Sequence, residues 1–366
     1  MIKSNPFKFG SIVDEPYFTD RTDEIKQVSA VLNSSNHLIL ISPRRYGKSS
    51  LVYKVLRSLH RPVIAIDLQL ITSVDDFAAQ LLKRIYREYP SERIRQFILH
   101  FRIIPSITLN PATNEIDVSF HPSPTSFPKL EDVLNLLEKL GNAKKRCIVV
   151  MDEFQEIHRL DSNLASQLRS VLQHHQKINY VFLGSQESMI REIFEKKKSP
   201  FYHFGFLMTL HKIPEKDFME YLSNGLKAVS DKAELISGEI LDFTRCHPYY
   251  TQQLAFMVWE SLHSGLQDIA PIKQAVNEII RIHDMDYERL WGTLNRTDRK
   301  LMIGLAENGH TPLSEAFYRK YDIGASSTVF SSLTRMMKSG YIIKTGNKYE
   351  IDDPFFSFWI SLRRNV

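Results

Sequence analysis

The sequence predicts an α/β protein built on a parallel sheet, followed by an all-helical segment and a small mixed module. Two observations lead there. Over the first 210 residues, short unbroken apolar runs alternate with amphipathic segments, as expected of strands buried on both faces and joined by crossover helices. From Glu215 the apolar spacing turns purely helical, and near the C-terminus it returns to short helices followed by two strands.

The elements follow in order. His37-Leu-Ile-Leu-Ile41 reads as the first buried strand. It breaks at Ser42-Pro-Arg-Arg-Tyr-Gly47, and from Lys48 the apolar residues Leu51, Val52, Val55, Leu56 and Leu59 fall at helical spacing. Val63-Ile-Ala-Ile66 is a second strand, with an amphipathic helix over residues 74–89. Cys147-Ile-Val-Val-Met151, Tyr180-Val-Phe-Leu183 and Phe206-Leu-Met-Thr-Leu210 are three more strands, separated by helical patterns over 164–173 and 187–197. One stretch interrupts the alternation. Residues 107–120 read as a β-hairpin around a Pro/Asn turn, an insertion near 105–121, and the prolines of 121–128 suggest an extended linker. Residues 215 to about 284 are helical. Helices over 298–307, 313–320 and 326–339 come next, Gly340 stops the last of them, and residues 341–351 form two strands around Thr345-Gly-Asn347. Three helices and a β-hairpin are the winged helix-turn-helix layout. The expected organisation is therefore 1–213, 214–290 and 291–366.

The 366 residues are 43% hydrophobic and 24% charged, the balance of an ordinary globular protein, which excludes a largely disordered chain. No apolar run reaches the ~18 residues of a membrane span, and residues 1–10 hold no signal-peptide stretch, so no membrane partner is expected. Two cysteines, Cys147 and Cys246, cannot form a disulfide framework or a zinc cage, and a reducing cytoplasm is the expected compartment. The net charge is +5, and residues 291–366 hold 11 Lys/Arg against 7 Asp/Glu. That surplus permits a nucleic-acid face without establishing one.

Chemistry concentrates in three places. Ser42-Pro-Arg-Arg-Tyr-Gly-Lys-Ser49 matches the phosphate-binding loop, Gly-x4-Gly-Lys-Ser/Thr, between a strand and a helix, except that Ser42 stands at the first glycine. Gly47 lets the segment opened by Pro43 turn so that the successive N–H groups of Arg44, Arg45, Tyr46 and Gly47 point toward a phosphate. The helix entered through Lys48, Ser49 and Ser50 directs its N-terminal dipole at the same anion. Lys48 is expected on the β- and γ-phosphates of ATP and the Ser49 hydroxyl on Mg2+. Cys147-Ile-Val-Val-Met-Asp-Glu153 is an apolar strand ending in two carboxylates. Asp152 is expected in the magnesium shell, with Glu153 activating the water that attacks the γ-phosphate. Tyr180-Val-Phe-Leu-Gly-Ser-Gln186 ends a strand in polar residues, so Ser185 or Gln186 either touches the γ-phosphate or its water or caps the following helix.

Together with Asn5-Pro-Phe-Lys-Phe-Gly10, Phe18-Thr-Asp-Arg21, Met151-Asp-Glu-Phe-Gln155, Cys246-His-Pro-Tyr-Tyr250 and Asp353-Pro-Phe-Phe-Ser-Phe-Trp359, these motifs make the chain resemble the archaeal-type ATPases of the broader AAA+ and STAND group of P-loop NTPases, over nearly its whole length. The resemblance implies a P-loop NTPase core with strand order 5-1-4-3-2, a helical lid and a winged helix. It also implies that residues 7–21 lie near the adenine and that His247 and Pro248 close over the nucleotide. On the sequence alone, a capping or packing role for His247 is equally open. The chain departs from many AAA+ proteins at Ser199-Pro-Phe-Tyr-His-Phe-Gly205, which has no arginine before the fifth strand. Arg191 and the lysines at 196–198 are the nearby cations, and slow turnover without a partner is expected.

Three functions remain open at this stage. The first is a Mg-dependent ATPase acting as a nucleotide-driven conformational switch. The second is a DNA-binding regulator holding nucleotide as a structural ligand, its third winged-helix helix offering hydroxyls, Arg335 and Lys338, supported by Lys344, Lys348, Arg363 and Arg364 and opposed by Glu350, Asp352 and Asp353. The third is a scaffold whose hairpin insertion docks a protein partner.

Overall fold

The computed structural model describes residues 4–109, 116–121, 125–265, 271–307 and 311–364. The described chain divides into two compact units: residues 22–42 with 51–210, and residues 1–21 with 43–50 and 211–366.

The first unit is built on strands β1 (Leu38–Ile41), β2 (Val63–Asp67), β5 (Cys147–Asp152), β6 (Ile178–Gly184) and β7 (Phe206–Thr209), with a separate pair β3 (Ser106–Leu109) and β4 (Ile116–Ser119) between β2 and β5 in sequence. All pairings among the five are parallel, in the order β2-β5-β6-β1-β7. Counted along the sheet strands alone, that is the expected 5-1-4-3-2. Every residue of β1 and β6 is buried, which is why these strands read as unbroken apolar runs rather than as alternation. Register aligns Ile41 with Gly184 and with Thr209, and Asp67 with Asp152. The C-terminal edge of the sheet therefore carries residues 42, 152–153 and 184–185.

Helices cover the sheet, led by Val74–Glu88, whose Phe77, Ala78, Leu81, Leu82 and Ile85 are fully buried. The helices Thr22–Asn33, Ser91–Ile98 and Phe127–Leu140 are additions to the pattern read from sequence. β3 and β4 pair antiparallel, and the Pro/Asn turn between them lies outside the described residues, as do residues 122–124 of the expected linker. Val118 is buried against the core, with Ile107, Ile116 and Phe120 packed beside it, so the hairpin spends its apolar face inward. Thr108, Asp117 and Ser119 point to solvent.

The second unit holds the helices Glu215–Leu226, Ala233–Thr244, Pro248–His263 and Pro271–Thr293, then Arg296–Ala306, Glu315–Lys320 and Ser326–Lys338, the antiparallel pair β8 (Ile342–Thr345) and β9 (Lys348–Ile351), and a last helix Pro354–Arg363. Gly340 closes the third winged-helix helix at φ +77°, as its position suggested. One hydrophobic core runs through lid and winged helix together, from Phe218 and Leu254 to Trp359 and Ile360. Trp359 sits 6.0 Å from Tyr287 and 6.3 Å from Trp291, and its indole Nε1 donates to Asp284 at 2.7 Å. No helix among the described residues is long and apolar enough to cross a membrane.

Gly304 marks the tightest packing of the winged helix. A Cβ there would lie 2.4 Å from Phe317 Cζ and 2.8 Å from Tyr321 Cδ2. Overpacking costs ~1–3 kcal/mol, more than the ~1 kcal/mol that alanine gains over glycine in a helix, unless the ring swings aside freely. Gly304→Ala is expected to lower the melting temperature; an unchanged or raised value would count against this packing.

Candidate functional site in a phosphate-binding loop and at a strand-end acidic pair

Within the second unit, residues 43–50 form a tight loop running into the helix Lys48–Leu59. Arg45 and Gly47 take left-handed backbone, φ +67° and +90°. Tyr46 between them is buried at 4% exposure and packs edge-on over His247, ring centroids 4.9 Å apart. Burial pushes the Tyr46 hydroxyl well above its ordinary range. The buried Arg21 secures the loop from behind, donating from Nη2 to the carbonyls of Tyr46 at 3.3 Å and His211 at 2.7 Å. Lys48 is 7% exposed, and its ammonium donates to the Pro43 carbonyl at 3.3 Å. Ser50 Oγ accepts from the Val13 N–H at 3.0 Å. Arg45 Nη1 donates to the Tyr250 hydroxyl at 2.9 Å, and its guanidinium lies 4.7 Å from the centre of the Tyr249 ring. Arg44 is exposed.

His247 and Pro248 open a lid helix. The turn before them uses left-handed Arg245 and Cys246, and Pro248 occupies a first-turn position where its missing N–H is harmless. His247 Nδ1 accepts from the Tyr250 N–H at 3.5 Å, and its Nε2 lies 3.5 Å from Asp352 Oδ1. At 1% exposure it is a capping and packing residue in this structure.

In the first unit, Ser42 is fully buried and its N–H donates to the Gly184 carbonyl at 3.2 Å, tying the end of β1 to the end of β6. β5 ends in Asp152, whose Oδ1 accepts from the Glu153 N–H at 2.9 Å. Glu153 takes left-handed backbone, φ +51°, ψ +47°. For a non-glycine residue this costs on the order of 1–2 kcal/mol. Phe154 offsets it: fully buried, it packs 4.5 Å from Phe182 and 5.3 Å from Phe201, and burying such a ring stabilises by roughly 1.5–3 kcal/mol. One oxygen of Glu153, Oε2, accepts from the Ser185 hydroxyl at 2.6 Å and from the Gln155 side-chain amide. Gln155 Oε1 is buried without a hydrogen-bond partner.

These contacts correct one alternative from the sequence. Ser185 does not cap the helix Glu187–Glu195: Gln186 holds the cap position and makes no side-chain cap bond. The cations near the missing arginine are engaged locally, Arg191 with Glu187, Glu195 and Thr209, and Lys196 with Glu192. In the winged helix, Arg335 is bound to the buried Asp298, Arg363 to Asp284 and Arg364 to Glu288. Among the described residues no three of His, Cys, Asp and Glu converge as a metal cage.

Residues 18–254 match the model of the ATPase domain found predominantly in Archaea. The chain belongs to this family. Residues 285–362 match a model described as a probable winged helix domain, and no curated protein matches the chain. The fold of this chain is similar to that of the Walker-type ATPase PabY2304 of Pyrococcus abyssi, at 19% identity over 97% of this chain and 99% of that one, with a TM-score of 0.69. It is also similar to the ORC2 protein of Aeropyrum pernix in ADPNP–ADP complexes, at 12% identity over 95% and 94% of the two chains, TM-score 0.54. At such identities the likeness is one of fold.

Arg21, Gln155, Tyr250 and Asp353 stand in the motifs quoted above, but the sequence assigned none of them a part in holding the loop or the acidic pair. Gln155 could have been suspected, two residues beyond an acidic pair. The roles of Arg21 and Tyr250 depend on partners 25 and 205 residues away in sequence, and no local pattern announces them.

Gly47 supplies a direct test of the loop. A Cβ there meets nothing within 4 Å, yet φ is +90°, so the penalty of Gly47→Ala is conformational, on the order of 1–3 kcal/mol. Nucleotide affinity is expected to fall roughly tenfold or more, and less for Gly47→Asn, because asparagine tolerates left-handed backbone better. Equal affinities for wild type and both variants, by equilibrium titration, would contradict the role given to this backbone.

Proposed function

We propose that this protein binds ATP with Mg2+ at the phosphate loop, hydrolyses it, and uses nucleotide state to set the position of lid and winged helix. Lys48 neutralises the β- and γ-phosphates, and loop N–H groups from residues 44–50 cradle them. The donor set suits magnesium: the Ser49 hydroxyl and the Asp152 carboxylate are hard oxygen ligands, and Mg2+ is typically held by one or two such groups together with substrate phosphates rather than by a protein cage. The bound ion screens the phosphate charge. Glu153 is the base that orients and deprotonates water, and Ser185 is its partner. The observation that supports this reading most strongly is the pair of donors on Glu153 Oε2, from Ser185 and Gln155, because a base must be held in one orientation to act.

The common core of lid and winged helix supports their moving as one piece. His247 and Pro248, at the start of a lid helix beside Tyr46, are suited to report the loop's state to it. With Arg191 held by two glutamates, no arginine is offered to a neighbouring subunit from that stretch, and basal turnover is expected to be slow, since such a residue is worth ~10^3 or more in rate. A cytoplasmic setting fits two free thiols.

DNA binding is the second reading. Lys338, Lys344 and Lys348 make no ion pair among the described residues, beside the exposed Ser327, Ser331 and Thr334. It stands second because Arg335, Arg363 and Arg364 are already engaged by carboxylates.

Lys48→Ala is expected to abolish nucleotide binding, and Glu153→Gln to keep binding while turnover falls by a factor of 100 or more, in the range of general acid–base effects of ~10^2–10^4. Hydrolysis by Glu153→Gln at the wild-type rate would remove Glu153 from its role. For DNA, duplex affinity should fall steeply with salt, and no binding at low salt would dismiss that reading.

A further inference from the structure

The sequence gives Glu350, Asp352 and Asp353, which end and follow β9, only as charges opposing a DNA contact. In the structure they engage the lid and the phosphate loop. Lys212 and Arg245 bind Glu350 at 2.7 and 3.5 Å, Asp352 lies beside His247, and Asp353 is reached from Arg45 through Tyr250. Arg45 Nη1 donates to the Tyr250 hydroxyl at 2.9 Å, and the Tyr250 ring packs 5.9 Å from that of Phe355, two residues beyond Asp353, where its hydroxyl helps to hold the Asp353 carboxyl down. A guanidinium only donates, so the Tyr250 hydroxyl accepts from Arg45 and keeps its own hydrogen for an acceptor. Asp353 also caps the last helix through the N–H groups of Phe355 at 2.9 Å and Phe356 at 3.1 Å, and accepts from the Tyr287 hydroxyl at 3.3 Å.

Capping alone does not require a charge at this position, since asparagine caps as well as aspartate. A buried carboxylate is costly without a compensating cation. Burial pushes the Asp353 carboxyl above its ordinary range, opposed by the Phe356 N–H, the Tyr250 hydroxyl, the Phe355 N–H and the charge of Arg45. Arg45 is the cation in that set, and it stands on the loop that leads into the helix N-terminus at Lys48, where anions are favoured.

We propose that Asp353 of the winged helix is a positioning residue for the nucleotide site: through Tyr250 it holds Arg45 of the phosphate loop and competes with a bound nucleoside phosphate for that guanidinium. This rests on the nucleotide reading above. By linkage, the Asp353 charge lowers nucleotide affinity, and nucleotide loosens the hold of loop and lid on the winged helix to the same extent.

The test is calorimetric titration of the full chain with ADP and with a non-hydrolysable ATP analogue. Asp353→Asn keeps the cap and removes the charge; Tyr250→Phe keeps the ring and breaks the relay. Each is expected to tighten binding by at least about fivefold, the lower end of ordinary coupling between sites, more for the triphosphate than for the diphosphate. In an Arg45→Met background the two changes should have no effect. Unchanged or weaker binding by both variants, with wild-type melting curves, would overturn the proposal, as would equal tightening in the Arg45→Met background. If Asp353→Asn does not fold, Tyr250→Phe decides alone. A wild-type protein that binds neither nucleotide fails the nucleotide reading itself, an outcome distinct from normal wild-type binding with indifferent variants.

Discussion

The chain must leave a strand whose every residue is buried at Ile41 and enter a helix at Lys48, with only residues 42–47 in which to turn. Side chains and backbone divide that task. Ser42 stays in the sheet and bonds Gly184, while Arg45 and Gly47 take the left-handed backbone that makes the reversal tight. Tyr46, between two such residues, is driven inward against His247. A loop bent this way turns successive N–H groups toward one point, and the helix that follows adds its dipole. The proposed anion site is thus built on how a buried parallel strand is connected to a helix, and the serine at the first glycine position is compatible with it because the positive φ falls elsewhere.

The same constraint reaches into the lid. Because Tyr46 and Arg45 are held by His247, Tyr249 and Tyr250, the first turn of the helix Pro248–His263 is shaped by the loop it faces. That helix shares its core with the winged helix, and Asp353 closes the circuit from the other side. Polar groups so deeply buried are expensive without partners, and two of them, His247 Nε2 and Asp352 Oδ1, face each other at 3.5 Å without a hydrogen bond.

Around Glu153 the structure accepts local strain for placement. An acidic residue in left-handed backbone is stable here because Phe154 is anchored among Phe182, Phe194 and Phe201. Its carboxylate is then held by a serine from the next strand and a glutamine from its own turn. Gly184 completes the arrangement: a Cβ there would lie 2.2 Å from Ile190 and 3.0 Å from Gln155 Oε1, so the glycine is required by close packing.

The sequence by itself determined the five sheet strands, half of the helices beside them, the loop between the first strand and its helix, and the strand-end acids, because each is written in contiguous residues as apolar period, a glycine or a paired charge. It missed the helices Thr22–Asn33, Ser91–Ile98, Phe127–Leu140 and Ile157–Leu160, and stopped the long helix Pro271–Thr293 near residue 284, where polar residues outnumber the apolar ones that continue its buried face. It left open whether Ser185 caps the following helix and counted Arg335, Arg363 and Arg364 as available cations. Those matters were decided only by tertiary structure, since a side chain's partner is chosen by proximity in space. Asp298, Asp284 and Glu288 lie 37, 79 and 76 residues from the arginines they neutralise, and no local pattern of charge encodes a separation of that kind.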